Sequence, residues 1–492
     1  MMLVKFLVLL VAGGLAAENG TASVLQRACK AAQDSLGADQ VDTSPLNQTI
    51  VEDNWSLSCL AEPYCIILPR NARAISTAIQ IIAYFNASFA VRAGGHSPNP
   101  GWSSVDKGGI LVDLQYMNKV SLTSDSNVAS VGPGARWGDV MKVVNKRNVS
   151  VVGTRAPDVG VGGSLLGGGY FYLSGYGLAT DNVKSFEIVL SSGKIANANA
   201  HENDDLFWAL KGGGPNFGIV TRYDLNTIPV NKIWYKVLSY PTDQAMNVLD
   251  AVAKWQLEGG SSDPKGNIIF YIGLDSILLG LVYAEPLAGQ PSCFASFNKL
   301  APVTVAVPAT NGTFTSLNVI AESSVSNATI RHDYRGVSSL VDAQLYKDVY
   351  KFWLEKAKAV YNTTGSKQTF AIQHVPSSIA EHGARQGGNP MGIPQQTHQW
   401  WTTLVDWTDE SADGLVRSVA IETTAYWQRL SQERGLDVSY IYMNDAARDQ
   451  DPIATYGGAN VQTLKEIAAK YDPGQVFQRL QNDGFLLYKV RT

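Results

Sequence analysis

Two glycine-dense stretches, both in the first half of the chain, restrict its fold more than any other feature. The first is Val91-Arg92-Ala93-Gly94-Gly95-His96-Ser97, where a strand expected over 88–91 runs into Arg, two glycines and a His. Lacking Cβ atoms, such a loop can bring backbone N–H groups against a diphosphate while one imidazole reaches forward. The second is Gly160-Val161-Gly162-Gly163-Ser164-Leu165-Leu166-Gly167-Gly168-Gly169, too rich in glycine for an ordinary core. Glycine weakens helices and strands alike, so this density needs another purpose. Two such loops in one domain imply a large phosphorylated cofactor held at more than one place.

The chain has 492 residues, room for two or three domains, and 45% of them are hydrophobic, enough for a large core. Formal net charge is −4 and no Lys/Arg run occurs, which argues against nucleic acid and anionic membrane as partners. At the start, Lys5 lies within an apolar run over 3–12, followed by Gly13, Gly14, Ala16 and Ala17. That pattern reads as a secretory signal over 1–17, its apolar run too short to span a bilayer. A secreted or secretory-lumen protein agrees with Asn-X-Ser/Thr sequons at Asn19, Asn47, Asn54, Asn86, Asn148, Asn311, Asn327 and Asn362. The cysteines (Cys29, Cys59, Cys65 and Cys293) are too few for a disulfide scaffold. One bridge is expected, from Cys29 to Cys65 or to Cys59; spacing does not choose, and Cys29–Cys65 is the pair carried forward. Cysteine spacing and scattered His residues give no metal site.

Residues 24–37 read as a helix and 38–57 as irregular. Strands at 64–68, 88–91, 110–114, 120–122 and 128–131 surround a helix at 72–85 that Asn71 would cap. A helix at 137–147, a hairpin of 183–190 with 195–198, a helix at 204–210 and a strand at 217–225 complete this part. Beyond residue 228 glycine thins and elements lengthen. Strands at 234–240, 267–274, 278–285, 370–374 and 399–407, with helices at 243–256, 342–360 and 410–434, describe an antiparallel sheet with covering helices. The stretch 383–390 reads as a mobile loop near the active site. Alternation over 439–444 puts Tyr440, Tyr442 and Asn444 on one strand face, ahead of a helix at 461–471.

Several further pieces stand in a specific order: Gly132-Pro133-Gly134-Ala135-Arg136-Trp137, Gly177-Leu178-Ala179-Thr180-Asp181-Asn182-Val183, Phe207-Trp208-Ala209-Leu210-Lys211-Gly212-Gly213-Gly214, Asn216-Phe217-Gly218-Ile219-Val220-Thr221, Tyr456-Gly457-Gly458-Ala459-Asn460 and Lys470-Tyr471-Asp472-Pro473-Gly474-Gln475-Val476-Phe477. With the two glycine stretches, this order resembles the vanillyl-alcohol-oxidase/p-cresol-methylhydroxylase-type flavoproteins. Within them it is most similar to the berberine-bridge-enzyme-like, FAD-linked oxidoreductases of fungi.

The resemblance implies an α+β fold: a two-subdomain FAD-binding domain (18–228), an antiparallel-sheet substrate domain with covering helices (229–435), and a C-terminal segment (436–492) that returns to the FAD domain. It implies FAD held at Arg92, Gly94, Gly95, His96 and Ser97, with a single covalent link through His96. Such a link fixes the ring, prevents loss of FAD outside the cell and raises its potential. Gly162, Gly163 and Gly168 would cradle the diphosphate and ribityl chain. Ile219 and Val220 would meet the adenine end through backbone atoms, and Tyr456 and Asn460 would close over the cofactor. The second, cysteinyl tether of some members would fall at Ala156, so it is absent here, which counts against a wide oligosaccharide site.

Hydride transfer from a carbon bearing a hydroxyl requires a base within hydrogen-bond reach of that oxygen. The resemblance puts a Tyr-X-Asn-Tyr pattern there, and this chain has Tyr442-Met443-Asn444-Asp445. Tyr442 is the leading base, which needs a lowered phenol pKa, and Asp445 is the runner-up. His374, Trp400, Trp401 and Tyr334 are candidate pocket walls for a flat substrate, while His332 and His398 are expected at the surface. The expected function is an FAD-dependent oxidase taking two electrons from a small organic, aromatic or polyketide-like substrate, with molecular oxygen as acceptor and hydrogen peroxide as product. The alternatives are a carbohydrate oxidase acting at a sugar C1, and a flavin-scaffolded cyclase with little net redox. No motif encodes an oligomeric state.

Overall fold

The structure is a computed structural model that describes residues 20–302, 304–323 and 330–491. The signal segment 1–17 and the sequons Asn19 and Asn327 lie outside the described residues.

The described residues form three sheets. The first comprises β1 (Val41–Thr43), β2 (Cys65–Ile67), β3 (Ser88–Arg92) and β4 (Gly109–Asp113) in the order β1-β2-β4-β3, with only β1 antiparallel. The helix Ala72–Phe85 crosses over from β2 to β3. Its start is fixed by Asn71, whose side chain accepts from the Ala74 N–H at 3.0 Å, and its end by Asn86 in the left-handed region (φ 52°). Between these caps Ala74, Ile75, Ala78, Ile79 and Ile82 recur at helical spacing and are buried. Full burial of each Ile contributes about 1.5–3 kcal/mol. A Cys29–Cys65 bridge fastens the helix Gly20–Leu36 to β2, and Cys59 stays a buried thiol. The stretch expected to be irregular, 38–57, instead holds β1 and the short helix Gln48–Val51, because its backbone finds partners in β2 and in the Asn47 cap.

The second sheet comprises β5 (Val120–Leu122), β6 (Val128–Val131), β7 (Ser150–Val151), β8 (Val183–Val189), β9 (Ile195–Asn199) and β10 (Ile219–Ile228). Its order is β5-β6-β10-β8-β9, all antiparallel, with β7 added along the far end of β10. The third sheet comprises β11 (Lys232–Pro241), β12 (Gly266–Ile272), β13 (Ser276–Tyr283), β14 (Thr304–Thr313), β15 (Arg331–Leu340), β16 (Lys367–Gln368), β17 (Phe370–Val375), β18 (His398–Trp407) and β19 (Asp437–Val438). It runs β14-β11-β13-β12-β17-β18-β15-β19, with β16 on β18.

The two faces of the third sheet differ in what covers them. Ile372, Trp401 and Val405 turn to the helices Ala245–Leu257, Ala343–Thr364 and Asp413–Glu433, forming one core with Trp255, Trp353 and Trp427. Trp400 and Val375 turn the other way and share a core with the second sheet. After β19 the chain rejoins the first two sheets. Asn482 N–H donates to Phe89 O at 2.7 Å, and Lys470 pairs with Asp205.

The expected strand over 439–444 does not form. After β19 the chain carries no ladder there and closes with a 3-10 turn, Met443–Asp445. Side chains replace the ladder: Ile441 N–H donates to Thr455 Oγ1 at 3.1 Å. His332 and His398, expected at the surface, are buried. Asn54 is 7% exposed and its side chain accepts from the Ser103 hydroxyl, so the interior leaves no room for a glycan there. The sequon residues Asn47, Asn86, Asn148, Asn311 and Asn362 are exposed, although the Asn311 side-chain amide is bonded to Leu287 O.

Candidate active site

The two glycine stretches meet backbone to backbone. A Cβ on Gly94 would lie 2.4 Å from Gly160 Cα, so neither position admits a side chain. This contact aims the loop after β3. His96 Nε2 lies 3.2 Å from the Asp158 carboxylate, and the imidazole stacks on Trp55 at 4.2 Å between centroids. The other face of Trp55 stacks on His332 at 3.9 Å, and His332 Nδ1 is 2.7 Å from Asp406. The hydrogen bond with His96 is the main reason the Asp158 carboxyl is held below its ordinary value. Ser97 continues the loop, its carbonyl accepting from the Cys59 thiol.

Arg92 departs from its expected role. Its side chain is 1% exposed, with Nε donating to Asp113 at 2.6 Å across β3 and β4 and Nη2 to Ile50 O at 2.5 Å. A guanidinium on the last strand residue follows the strand's alternation into the interior, not the loop into the cleft.

The second glycine stretch is not all loop, because Val161–Leu166 is a short helix. Gly162 packs its Cα against Ala93, and its carbonyl accepts from Tyr223 OH at 3.0 Å. Gly163 faces open space, with nothing within 4 Å of where a Cβ would sit. Gly168 passes beneath Tyr442 and Met391. Ile219 and Val220 are ladder-paired to β8 on one side, but β6 covers β10 only from Tyr223 onward. The other edge at Ile219 therefore has no ladder partner among the described residues. Tyr456 is buried with its hydroxyl donating to Gly212 O at 2.9 Å. Asn460 donates to Pro390 O at 3.0 Å.

That last bond belongs to a strap. Beyond the helix Ser377–Arg385, the stretch 386–391 is tied down, not free as expected. Lys211 Nζ donates to Gln386 O at 3.0 Å, and Asn389 Nδ2 to Asp181 at 2.8 Å. Met391 is fully buried against Gly212 and Tyr440.

Cross-strand partners share a sheet face, which sorts the pocket candidates. Trp400 pairs with Gln373 and Ser338, so Tyr334, Gln373 and Trp400 point together toward the second sheet. Trp400 stacks on Tyr442 at 4.5 Å. Neighbouring Trp401 and His374 alternate to the rear. His374 lies edge-on to Trp255 at 4.7 Å, and burial pushes its imidazole down to about 4. Those two are core residues, not pocket walls.

Tyr442, Asn444 and Asp445 converge despite the missing strand. Asn444 Nδ2 bridges Ser164 O at 2.9 Å and Tyr442 OH at 3.1 Å. Burial raises the Tyr442 phenol rather than lowering it, so at neutral pH it is a hydrogen-bond donor. Asp445 accepts from Gln373 Nε2 at 2.5 Å, and the Gln373 carbonyl accepts from the Arg155 guanidinium. Burial pushes the Asp445 carboxyl up to about 6, with Arg155 opposing. A carboxyl poised near neutrality is suited to general-base work.

Sequence reasoning missed Trp55, Arg155, His332 and Gln373. Only Gln373 left a readable signal: on a two-sided strand it and the candidate His374 must face opposite ways.

The residues fit a flavin dinucleotide. Glycine loops in backbone contact, open space at Gly163 and the β10 edge without a ladder partner at Ile219 leave backbone groups that such a cofactor could use. Residues 63–199 match a family model described as an FAD binding domain. An FAD-dependent monooxygenase of Arthrobotrys oligospora is 33% identical over 438 residues, covering 89% of this chain and 84% of its own. The bifunctional solanapyrone synthase of Alternaria solani is 30% identical over 427 residues, covering 86% and 82%. Among solved structures, xylooligosaccharide oxidase of Myceliophthora thermophila superposes with a TM-score of 0.74 at 19% identity, over 94% of this chain and 99% of its own, a likeness of fold. Fold and site define an FAD-dependent oxidoreductase. The chain belongs to the berberine-bridge-enzyme-like, FAD-linked oxidoreductases of the vanillyl-alcohol-oxidase/p-cresol-methylhydroxylase-type flavoproteins.

Proposed function

We propose that the protein is a secreted oxidase that removes two electrons from a hydroxyl-bearing carbon of a small aromatic or polyketide-like molecule. FAD, linked through His96, supplies the hydride acceptor that oxygen regenerates. The observation that carries this reading is the buried Asp445 carboxyl, held by Gln373 at 2.5 Å and pushed up to about 6. Asp445 takes the proton of the substrate hydroxyl as the C–H bond is broken. Tyr442, kept protonated by burial, donates to a substrate oxygen. Trp400 and Tyr334 wall the substrate and keep water away. Asp158 and Trp55 orient the His96 ring for its tether.

The test is steady-state oxygen uptake with peroxide quantified against a panel of aromatic and polyketide alcohols. Peroxide equal to oxygen consumed supports the oxidase. A flavin that reduces but does not reoxidise in air indicates a dehydrogenase and removes it. Peroxide formed only on cello- or chito-oligosaccharides would restore the carbohydrate reading.

One observation favours a second reading: the relative from Arthrobotrys oligospora is named a monooxygenase. Labelled dioxygen separates the two, since a monooxygenase leaves one labelled atom in the product and an oxidase leaves none. Secretion is supported by the Cys29–Cys65 bridge and the exposed sequons. It would be abandoned if a signal-bearing form stayed unglycosylated in the cell.

A further inference from the structure

We propose that the substrate carries an acidic oxygen, a carboxylate or an ionised enol, which seats on the Arg155 guanidinium beside Asp445. This rests on the reading of the site as an oxidoreductase centre and names the chemical class it takes.

Arg155 lies on the loop after β7, one residue before Ala156. Its backbone carbonyl accepts from Tyr172 OH at 3.0 Å, and its guanidinium lies 4.8 Å from the centroid of the Tyr170 ring. Tyr170 is itself anchored, its hydroxyl donating to His374 O at 2.5 Å. With Gln373 Oε1 accepting from Nη2, the arginine head is fixed in place and plane.

Its hydrogen bonding is incomplete. A guanidinium carries five N–H donors, and Gln373 is the one acceptor it meets among the described residues. The Nε and Nη1 groups have no hydrogen-bond partner among the described residues, and the residue is only half-buried. No carboxylate among the described residues forms an ion pair with Arg155. Asp445 is nearest in effect, but it holds the opposite end of the Gln373 amide, so the glutamine stands between cation and anion. Tyr170, Tyr172 and Tyr271 surround the cation, and the donors left open can take the oxygens of an anion. The planar fork of arginine matches two oxygens of a carboxylate or enolate better than a single hydroxyl.

The arrangement separates two duties. Arg155 receives the acidic oxygen, and Asp445, one glutamine away, receives the proton of the oxygen that reacts. A ligand held at both points has its reacting carbon fixed without domain movement.

Benzoate and benzamide, alike in shape and different in charge, test this. Each is titrated into purified holoenzyme at fixed ionic strength, and the shift of the flavin absorbance band is followed. Benzoate should bind tighter by about ten-fold or more, the worth of a charge-assisted bond. That preference should vanish in Arg155→Gln and shrink in Arg155→Lys, which keeps the charge without the fork, both at wild-type flavin content. Should Arg155→Gln lose its flavin, the wild-type preference and its reduction in Arg155→Lys decide. Equal affinities in the wild type, no response to either probe, or a preference that survives in the variants overturns the assignment. A colourless wild-type protein would instead remove the flavin reading on which it rests.

Discussion

The Gln373 side chain donates to Asp445 Oδ2 at 2.5 Å, joining a central strand of the third sheet to the C-terminal segment. This buried carboxyl is therefore oriented from one part of the chain and supplied by another.

If Asp445 is the base, Asp445→Asn should lower the rate of anaerobic flavin reduction by about 10²–10⁴-fold with flavin content unchanged. Tyr442→Phe should cost less, about ten-fold, since it removes a hydrogen bond and no base. Stopped-flow reduction of both variants compares them; the reverse ranking would return the role to Tyr442.

Asp445 also sets a pH dependence. Its ordinary value of 3.8 is pushed up to about 6, so the carboxylate needed for proton removal is present only above that region. The rate constant for reduction should rise with pH through about 6 and then level. Stability runs the other way. The contribution of this group is full below 3.8 and is lost as pH rises through about 6, as burial disfavours the charge. Asp445→Asn should therefore be more stable than wild type at pH 8, by roughly 2–3 kcal/mol, read from denaturant midpoints.

Gly94 and Gly163 should respond oppositely to alanine. Gly94→Ala puts a methyl 2.4 Å from Gly160 Cα, so a loss of about 3 kcal/mol or more, or no folded protein, is expected. Gly163→Ala meets nothing within 4 Å and should stabilise the polypeptide by about 0.4–1 kcal/mol while lowering the fraction of bound flavin. Thermal midpoints of flavin-free protein and flavin-to-protein absorbance ratios measure both effects.

His96→Ala should release all its flavin on acid precipitation, whereas wild type should keep it in the pellet. Trp55→Ala removes the ring stacked at 4.2 Å and should leave a mixed population, part tethered and part free. A Trp55→Ala protein tethered as completely as wild type would confine Trp55 to packing.

Much of this was written locally in the sequence. The helix Ala72–Phe85 follows from its Asn71 cap and apolar spacing, and the glycine stretches stand out by density, but that they pack on each other is seen only in the fold. What escaped depends on tertiary partners. Alternation predicts that Trp400 and Trp401 face apart, but only the helices behind the sheet decide which looks rearward. Tyr440 and Tyr442 do gather against Trp400, through side-chain bonds instead of a ladder. Arg92 reads as a cofactor contact until Asp113 is seen beside it. The His96–Trp55–His332 stack joins residues far apart in sequence, and nothing local marks it.

The strap over 386–391 bears on turnover. Swinging the third sheet away from the glycine loops would break the Lys211–Gln386 and Asn389–Asp181 bonds and draw Met391 out of its socket. Any opening of the third sheet must therefore first undo those contacts.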